Sequence, residues 1–349
     1  MFIIISLSLG IFGNNCSRYM IRTYLTYSRD LGDFMPDLAQ LYTQGLSGIR
    51  IINKGKTAAE LIGRVKEIQD YCHSAQIHIE ILIDLPGEKP MIGSLGSGMQ
   101  VQQDLVYTLC IEGKTLLPQD IPTINFLNRP DLENIKAGDV VSVADGELEM
   151  IIEELSADHI RCRALNSFFL RTNRSFNIRG NKLPAQALSR QDLLLLQEMQ
   201  HLPKQSSIKL LVSFVTEAAP LQRARESCPG FPVLAKVENV IDTDRLDEVI
   251  SASDGIMLGR GDLSAASRMA DIFIFQRLVI ERAQALDKQL IVATGLFGEL
   301  KNSGKPSISD IMDFGYLRSA QVNAFLIAGS NAAQYPFEAL HLIRNFDEL

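Results

Sequence analysis

Residues Val233–Ser264, VLAKVENVIDTDRLDEVISASDGIMLGRGDLS, are predicted to form a strand, a helix and a second strand. The apolar run from Phe231 to Val237 ends beside Lys236 and Glu238, and the run from Gly255 to Leu258 ends in Gly-Arg-Gly-Asp. An amphipathic segment from Thr243 to Ala252 lies between the two runs and is predicted to be the helix. In parallel α/β sheets and barrels, ligands bind at the edge where the strands' carboxyl ends meet. The charged residues after both runs are therefore predicted to share that edge.

Glu238 and Asp262 are the candidate metal ligands at this edge. Two facing carboxylates repel each other unless a hard cation joins them, and Mg²⁺ binds few protein carboxylates, leaving its other positions to water or substrate oxygens. The plainer interpretation, a pair of solvated loop carboxylates, is the usual fate of acidic residues. With the Lys236 ammonium alongside, the pattern favours a metal-bound anion beside a lysine.

The rest of the chain repeats the alternation of strand and helix. Apolar runs predict strands at Ile21–Thr26, Gly48–Ile52, Ile77–Asp84, Ile208–Phe214, Pro232–Val237, Gly255–Leu258, Leu290–Ala293 and Ala324–Ala328. Amphipathic segments with helical spacing lie between these runs and after the last one. Eight such units are the number found in a (β/α)₈ TIM barrel of the α/β class.

An all-β insert interrupts the third unit between Lys89 and about Lys182. Short alternating runs there predict strands at Leu105–Ile111, Val140–Val143, Leu148–Glu154 and His159–Leu165. An insert in a βα loop would sit over the catalytic face of the barrel as a lid. We therefore predict an N-terminal extension at 1–20, a TIM barrel at 21–89 and 183–349, and a β-rich lid domain at 90–182.

Composition limits the classes of partner. The chain has 349 residues, 46% hydrophobic and 21% charged, with a formal net charge of -7 and no sustained Lys/Arg cluster, which argues against nucleic-acid binding. Its five scattered cysteines are typical of free thiols in a reducing compartment, so a cytoplasmic protein is expected. The apolar start MFIIISLSLGIFG is shorter than a membrane span and lacks a basic signal-peptide region. A packed extension, or an upstream translation start assigned in error, is expected rather than export, and no membrane partner is expected.

Two motifs in the opening stretch resemble a known family. AKVEN followed by SDGIMLGRGDLS is similar to the pyruvate kinase signature, in which a lysine and glutamate on one strand precede Arg-Gly-Asp on the next. KAGDVVSVADGELEM resembles the family's β-domain, and FNIRGNKLPAQALSRQD resembles the segment that returns to its barrel. The resemblance spans about Ile21 to Ile343, so the family's C-terminal α/β domain, with its effector site and part of the subunit interface, is not expected.

The resemblance implies roles for the residues of the signature. Glu238 and Asp262 would hold Mg²⁺ (or Mn²⁺), which chelates carboxylate and enolate oxygens of phosphoenolpyruvate or pyruvate. Lys236 would be the catalytic lysine that stabilises the enolate. The backbone N–H groups of Gly261 and Asp262 would bind the substrate carboxylate. Arg260 would be more structural than catalytic.

Three further residues match the family outside the signature. Thr294, in LIVATG, matches the threonine that flanks the substrate methyl group and is a candidate proton-relay member, although a threonine that satisfies strand-end backbone is an equal alternative. Ser213, in VSFV, resembles a serine at the end of the fourth strand. Arg50, in GIRIINKG, matches the arginine that contacts the transferring phosphoryl group.

The part of the family's site that binds phosphate, K⁺ and ADP is altered. Asp84 matches the K⁺-site aspartate, but Ile52 and Lys54 replace an asparagine and a serine that help to hold K⁺. These replacements argue against a K⁺ site, and the Lys54 ammonium would take its place. The family's T-K-G-P-E-I-R is L-P-G-E-K-P-M here, so its phosphate-facing arginine falls on Met91.

Three hypotheses follow for the function. The first is a Mg²⁺-dependent enzyme that binds phosphoenolpyruvate or pyruvate, nominally transferring phosphoryl between phosphoenolpyruvate and ADP, and forming a homo-oligomer. The second is a diverged Mg²⁺-dependent lyase or aldolase that uses a pyruvate enolate. The third is a catalytically silent homologue with a binding or regulatory role.

Overall fold

The computed structural model describes residues 21–27, 35–52, 57–111, 121–126, 135–156, 159–179, 187–203 and 207–347. The N-terminal extension predicted at 1–20 and the Lys54 side chain lie outside these residues. Among the helices of the described ranges, none combines the length and the apolar character needed to cross a bilayer.

The described strands form a closed barrel and two smaller sheets. In chain order they are β1 (Arg22–Tyr27), β2 (Leu46–Ile52), β3 (Glu80–Leu85), β4 (Met99–Val101), β5 (Val106–Ile111), β6 (Thr123–Phe126), β7 (Val140–Val143), β8 (Leu148–Leu155), β9 (His159–Ala164), β10 (Phe168–Leu170), β11 (Phe176–Ile178), β12 (Ile208–Val212), β13 (Val233–Val237), β14 (Gly255–Gly259), β15 (Leu290–Ala293) and β16 (Ala324–Ile327). The barrel order is β1-β16-β15-β14-β13-β12-β3-β2, and every neighbouring pair is parallel. This closed sheet confirms the predicted TIM barrel.

Helices connect the successive barrel strands. They are α1 (Leu38–Thr43), α2 (Ala58–Ser74), α3 (Arg190–Met199), α4 (Ala219–Ser227), α5 (Thr243–Ala252), α6 (Arg260–Ala266), α7 (Met269–Ala285), α8 (Leu300–Ser303), α9 (Ile308–Ser319), α10 (Gly329–Gln334) and α11 (Pro336–Asp347). Helices α2, α3 and α9 each begin with a reciprocal capping box, in which a Ser or Thr and an acidic residue satisfy each other's backbone N–H groups. The sequence therefore specifies where these helices start.

The barrel strands are buried on both faces. Their inner faces form a core with Tyr24, Leu211, Met257 and Leu326, while their outer faces pack with the helices into a larger core. Parallel strands covered on both sides are nearly continuous apolar runs in sequence. The barrel strands can therefore be recognised in the sequence as short apolar runs.

The β-rich insert after β3 forms its own layer. Its strands make a six-stranded sheet of order β11-β7-β8-β9-β5-β6 and a two-stranded sheet of β10 and β4. The six-stranded sheet has a separate core, in which the rings of Phe126 and Phe176 pack edge to face at 4.6 Å. Strands β7 and β11 and the turn at Ala144–Gly146 contact α6. The predicted lid-like insert is thus confirmed as a separate sheet that contacts the barrel.

Helix α6 differs from the sequence prediction. The sequence pattern predicts no helix at Gly-Arg-Gly-Asp, whereas the structure begins a seven-residue helix at Arg260, with Gly259 as an extended N-cap. Glycine is a poor helix former, so the motif carries little helical signal. As a result, Asp262 lies in the first turn of a helix.

Candidate active site

The predicted site residues all lie at the carboxyl edge of the barrel. Arg50 lies near the end of β2, Asp84 in β3, Ser213 after β12, Lys236 and Glu238 at the end of β13, Gly261 and Asp262 after β14, and Thr294 after β15. Side chains from six neighbouring strands therefore approach one another at a single mouth.

Lys236 is the centre of the ion pairs at this mouth. Its Nζ lies 2.9 Å from Glu238 Oε1 and 3.6 Å from Asp84 Oδ2, and it donates to Ser213 Oγ at 3.4 Å. Burial acts to lower the pKa of Lys236, but Asp84 and Glu238 outweigh it, so the pKa is raised above its ordinary value. The raised pKa keeps Lys236 protonated, and a protonated lysine is suited to stabilise an oxyanion.

Glu238 is a buried carboxyl group whose charge is costly. It is 2% exposed, and its Oε2 accepts the backbone N–H of Phe214 at 3.3 Å. Burial raises the pKa of Glu238 to about 7, and the neighbouring Asp262 charge adds to this effect against the opposing Lys236. A second cation at Glu238 would relieve this cost.

The charges of the buried Glu238 and Asp262 carboxyl groups act on each other, since each shifts the pKa of the other. Two neighbouring oxygen donors, one with a raised pKa, fit a divalent cation, because such an ion would remove their repulsion. In the described part of the chain, no group of three or more His, Cys, Asp or Glu side chains could hold a metal ion. An ion at the pair would therefore complete its ligands with water and substrate oxygens, as Mg²⁺ does.

Lys89 is a site residue that sequence reasoning missed. Its Nζ lies 2.5 Å from Asp262 Oδ1 and 5.3 Å from the centre of the Phe214 ring. Burial acts to raise the pKa of Asp262, but Lys89 and the neighbouring charges hold it below its ordinary value. One signal was available: in L-P-G-E-K-P-M, Lys89 stands where the similar family motif has glutamate.

Close approach explains the two glycines that flank Arg260. A Cβ on Gly259 would lie 2.7 Å from Glu238 Cγ, and one on Gly261 would lie 3.1 Å from Thr294 Cγ2. Gly259 has a φ of -90°, which any residue can adopt. Glycine is therefore needed at Gly259 to leave space for the Glu238 side chain, and the backbone conformation at this residue does not require it.

Arg260 fixes the backbone at the end of β15. Its Nε donates to the Thr294 carbonyl oxygen at 2.9 Å, and its two Nη atoms donate to Asp313 at 2.9 and 2.8 Å. Thr294 has a φ of 70°, which is strained for a β-branched residue. The bidentate pair with Asp313 therefore fixes the Arg260 guanidinium, and the guanidinium in turn holds the strained backbone of Thr294 through its carbonyl oxygen. These contacts support a structural role for Arg260.

Arg50 and Asp84 form a second, deeper group. Arg50 Nη1 lies 3.4 Å from Asp84 Oδ2, and Ser213 Oγ donates to Asp84 Oδ1 at 2.9 Å. Arg50 Nε and Thr26 Oγ1 are buried without a hydrogen-bond partner among the described residues, and the two residues are register partners on β2 and β1. Unpaired buried donors call for a ligand or water.

The phosphate-facing arginine of the similar motif has no cationic counterpart at its own position. Met91 is buried, at 8% exposure, and forms a β-bridge with Ser175 of the insert. The Asp84 carboxylate is already contacted by Arg50 and Lys236. A buried methionine therefore stands at the position that matches the arginine of the similar motif.

Comparison with known proteins gives the family. The profile described as "Pyruvate kinase, barrel domain" matches residues 31–340. Pyruvate kinase of Dictyostelium discoideum is 26% identical over 219 residues, 61% of this chain and 43% of that protein. Pyruvate kinase of Thermococcus litoralis is 23% identical over 313 residues, 88% of this chain and 64% of that protein.

Solved structures agree on the fold. The crystal structure of Cryptosporidium parvum pyruvate kinase matches with a TM-score of 0.79 at 19% identity, covering 94% of this chain and 70% of that one. The pyruvate kinase structure from Pyrobaculum aerophilum matches with a TM-score of 0.78 at 20% identity, covering 94% and 73%. The chain spans about half the length of the curated relatives it matches. Because the family profile covers most of its residues, the chain belongs to the pyruvate kinase family.

Proposed function

We propose that the protein is a Mg²⁺-dependent enzyme that binds phosphoenolpyruvate and pyruvate, with phosphoryl transfer between phosphoenolpyruvate and ADP as its nominal reaction. The observation that carries the proposal is the contact of Lys236 with the Glu238 and Asp84 carboxylates, with Asp262 on the next strand close enough to influence the charge of Glu238. Cation and acidic pair come from adjacent strands at the barrel's ligand-binding edge.

The substrate carboxylate and enolate would be held by the chain's own donors. The Gly261 and Asp262 N–H groups lie in the first turn of α6, where backbone N–H groups lack intrahelical partners and suit an anion. The protonated Lys236 would stabilise negative charge on the enolate oxygen, a contribution of about 3 to 4 kcal/mol for one well-placed donor. The chemistry supplied by Mg²⁺, when held by Glu238 and Asp262, is neutralisation of the same oxygens.

Proton transfer at the substrate methyl carbon is assigned to Thr294. When phosphoryl leaves phosphoenolpyruvate for ADP, the enolate takes a proton at its methylene carbon to become pyruvate. The Thr294 hydroxyl lies beside Gly261, and Arg260 fixes the backbone of Thr294. A fixed hydroxyl at this position can relay the proton from water.

The phosphoryl group would meet Arg50. Its Nε is a buried donor without a partner among the described residues, so an anion placed there would satisfy it. Asp84 and Ser213 orient the cluster by contacting Arg50 and Lys236. A K⁺ ion is not part of the proposal, because Arg50 and Lys236 already neutralise Asp84.

A second function is favoured by the buried Met91. Phosphoryl transfer depends on positioning and charge neutralisation, so a methionine in place of a phosphate-facing arginine weakens that reaction. Enolate chemistry on pyruvate needs only Lys236, Thr294 and the acidic pair. The second candidate is therefore a Mg²⁺-dependent lyase or aldolase that uses a pyruvate enolate.

Exchange of pyruvate methyl protons in D₂O with Mg²⁺ tests the enolate half directly. We expect exchange by the natural protein and a loss of at least about 100-fold in Lys236→Met, since removing one oxyanion donor costs this much. Lys288→Met is the matched control, because Lys288 bonds the Ser253 carbonyl on another part of the barrel. No exchange by the natural protein, with no thermal stabilisation by Mg²⁺ and oxalate, would establish the catalytically silent homologue instead.

Turnover of phosphoenolpyruvate with ADP separates the two enzymatic candidates. Coupling the pyruvate formed to lactate dehydrogenase, with and without K⁺, measures phosphoryl transfer. Turnover without a K⁺ requirement supports the first candidate. Methyl-proton exchange without any turnover at high enzyme concentration supports the lyase.

The remaining proposals concern assembly and compartment. Exposed apolar side chains on α7 and α9, namely Phe273, Ile274, Ile308 and Met312, support a homo-oligomer through this face. The rings of Phe273 and Tyr316 lie 5.4 Å apart and join the two helices. Cys72, Cys110 and Cys162 are free thiols, which supports a reducing, cytoplasmic compartment. Light scattering, compared with Ile308→Ser, measures the oligomeric state.

A further inference from the structure

The ion pair of Lys89 and Asp262 joins two loops that are far apart in sequence. Lys89 follows β3 and Asp262 follows β14, and their side chains are only 19% and 16% exposed. The Lys89 loop is anchored, because the Gly87 N–H donates to the buried Asp192 carboxylate at 3.0 Å. Lys89 therefore reaches Asp262 from a fixed backbone.

The charges at the mouth balance without a metal ion. When Glu238 is ionised, the carboxylates of Asp84, Glu238 and Asp262 face the cations of Arg50, Lys236 and Lys89, as three negative groups against three positive ones. Among these cations, Lys89 neutralises the Asp262 oxygen that a metal ion would also use. A divalent ion on that oxygen, at about 2.1 Å, would lie about 4.6 Å at most from the ammonium. Two cations so close repel strongly in a buried site.

The ammonium of Lys89 has a second attractive neighbour besides Asp262. Lys89 Nζ already lies 5.3 Å from the centre of the Phe214 ring, a distance at which an aromatic face attracts a cation. A lysine side chain has four rotatable carbons, so its charged end can move while its stem stays packed. Lys89 can therefore leave Asp262 and remain at the mouth.

We propose that Lys89 is the resident cation of Asp262, that it leaves this carboxylate when a divalent ion binds, and that its released ammonium then contacts the phosphate of a phosphorylated enolate substrate. The proposal rests on the proposed function, since it uses the same acidic pair and the same class of substrate. It also supplies a cation near the mouth two residues before Met91, where the similar motif has its arginine. Lys89 would thus link metal binding to recognition of phosphate.

The first test is binding of Mn²⁺ without substrate, followed by electron paramagnetic resonance. We expect Lys89→Met to bind Mn²⁺ at least about tenfold more tightly than the natural protein, because the competitor for Asp262 is gone. Lys89→Gln is the second uncharged variant, and Lys89→Arg should bind Mn²⁺ as weakly as the natural protein, because it keeps the positive charge. Lys209→Met is the matched control, because Lys209 pairs with Glu80 instead. Circular dichroism checks that each variant is folded.

The second test compares two ligands in saturating Mg²⁺. Phosphoenolpyruvate carries a phosphate and oxalate does not. Lys89→Met should therefore weaken the binding of phosphoenolpyruvate at least about tenfold and change the affinity for oxalate less than threefold. Calorimetry measures both affinities. Equal losses for the two ligands, or no loss for either, would overturn the assignment of Lys89 to the phosphate.

The outcomes separate this proposal from the proposed function. Equal Mn²⁺ affinity in the natural protein and both uncharged variants, with normal oxalate binding, would overturn the role of Lys89 alone. Failure of every form to bind Mn²⁺ would overturn both that role and the metal site at Glu238 and Asp262. Tighter Mn²⁺ binding in both uncharged variants supports the competition.

Discussion

Gly259 lies directly against the side chain of Glu238: a Cβ on the glycine would stand 2.7 Å from Glu238 Cγ and 2.9 Å from its Oε1. The glycine ends β14, and the glutamate follows β13 in the adjacent strand position. The absence of a side chain at one strand end therefore makes room for the proposed metal ligand on its neighbour.

Gly259→Ala is expected to displace the Glu238 carboxylate. Because the added methyl group overpacks a buried site, unfolding free energy should fall by about 1 to 3 kcal/mol. Binding of oxalate with Mg²⁺ should weaken at least about tenfold. Urea unfolding and calorimetry measure the two effects.

The control for this prediction is Gly63→Ala in α2. A Cβ there meets no atom within 4 Å, and alanine is the better helix former, so stability should rise by about 0.5 to 1 kcal/mol. Equal behaviour of the two variants would contradict the close-approach argument.

Protonation of Glu238 is expected to make stability depend on pH. Its pKa is raised to about 7 in the folded protein, so between about pH 4.3 and 7 the folded chain binds more protons than the unfolded chain. The contribution of Glu238 to the unfolding free energy, about 4 kcal/mol in all, is fully present below pH 4.3 and is lost as pH rises through 7. Urea unfolding in EDTA from pH 5 to 8 measures it.

Glu238→Gln should flatten this profile, because the amide does not titrate. The lowered pKa of Asp262 acts in a more acidic range and leaves the window unchanged. A profile of the same slope in Glu238→Gln and in the natural protein would refute the assignment of the titration to Glu238.

Asp84→Asn is expected to lower the pKa of Lys236. Burial favours the neutral amine, and Asp84 is the strongest of the groups that oppose it. The pH at which Lys236 begins to react with an amine-modifying reagent should fall by at least about one unit. Ser213→Ala removes hydrogen bonds from Asp84 and from Lys236 but keeps every charge, so its reaction pH should change much less. A shift of equal size in both variants would argue against charge as the cause.

Arg260→Lys is expected to loosen Thr294. A lysine cannot make the bidentate contact with Asp313 and also donate to the Thr294 carbonyl, so stability should fall by about 1 to 3 kcal/mol. Exchange of pyruvate methyl protons should slow at least about tenfold, with oxalate affinity changed less than threefold. The matched variant Arg277→Lys alters an exposed pair with Glu281 and should change stability by less than about 0.5 kcal/mol. Unaltered exchange in Arg260→Lys would count against Thr294 as the proton relay.

The sequence predicted the scaffold well because its signals are local. Strands buried on both faces appear as short apolar runs, and β15 occupies Leu290–Ala293 as predicted. Helix α5 likewise spans Thr243–Ala252, where an Asp242 cap and helical spacing agree. Helix α6 escaped prediction because its glycines weaken the local signal that such reasoning uses.

The sequence by itself determined the barrel, the insert after β3, and the arrival of Lys236, Glu238 and Asp262 at one edge, because parallel strands in one barrel place their carboxyl ends together. Their catalytic roles stay a prediction. Only the tertiary structure decided that Lys89 contacts Asp262, that Gly259 makes room for Glu238, and that Arg260 holds Thr294 through Asp313. These contacts depend on side chains from distant segments meeting in space, and no local pattern of apolar and polar residues encodes such a meeting.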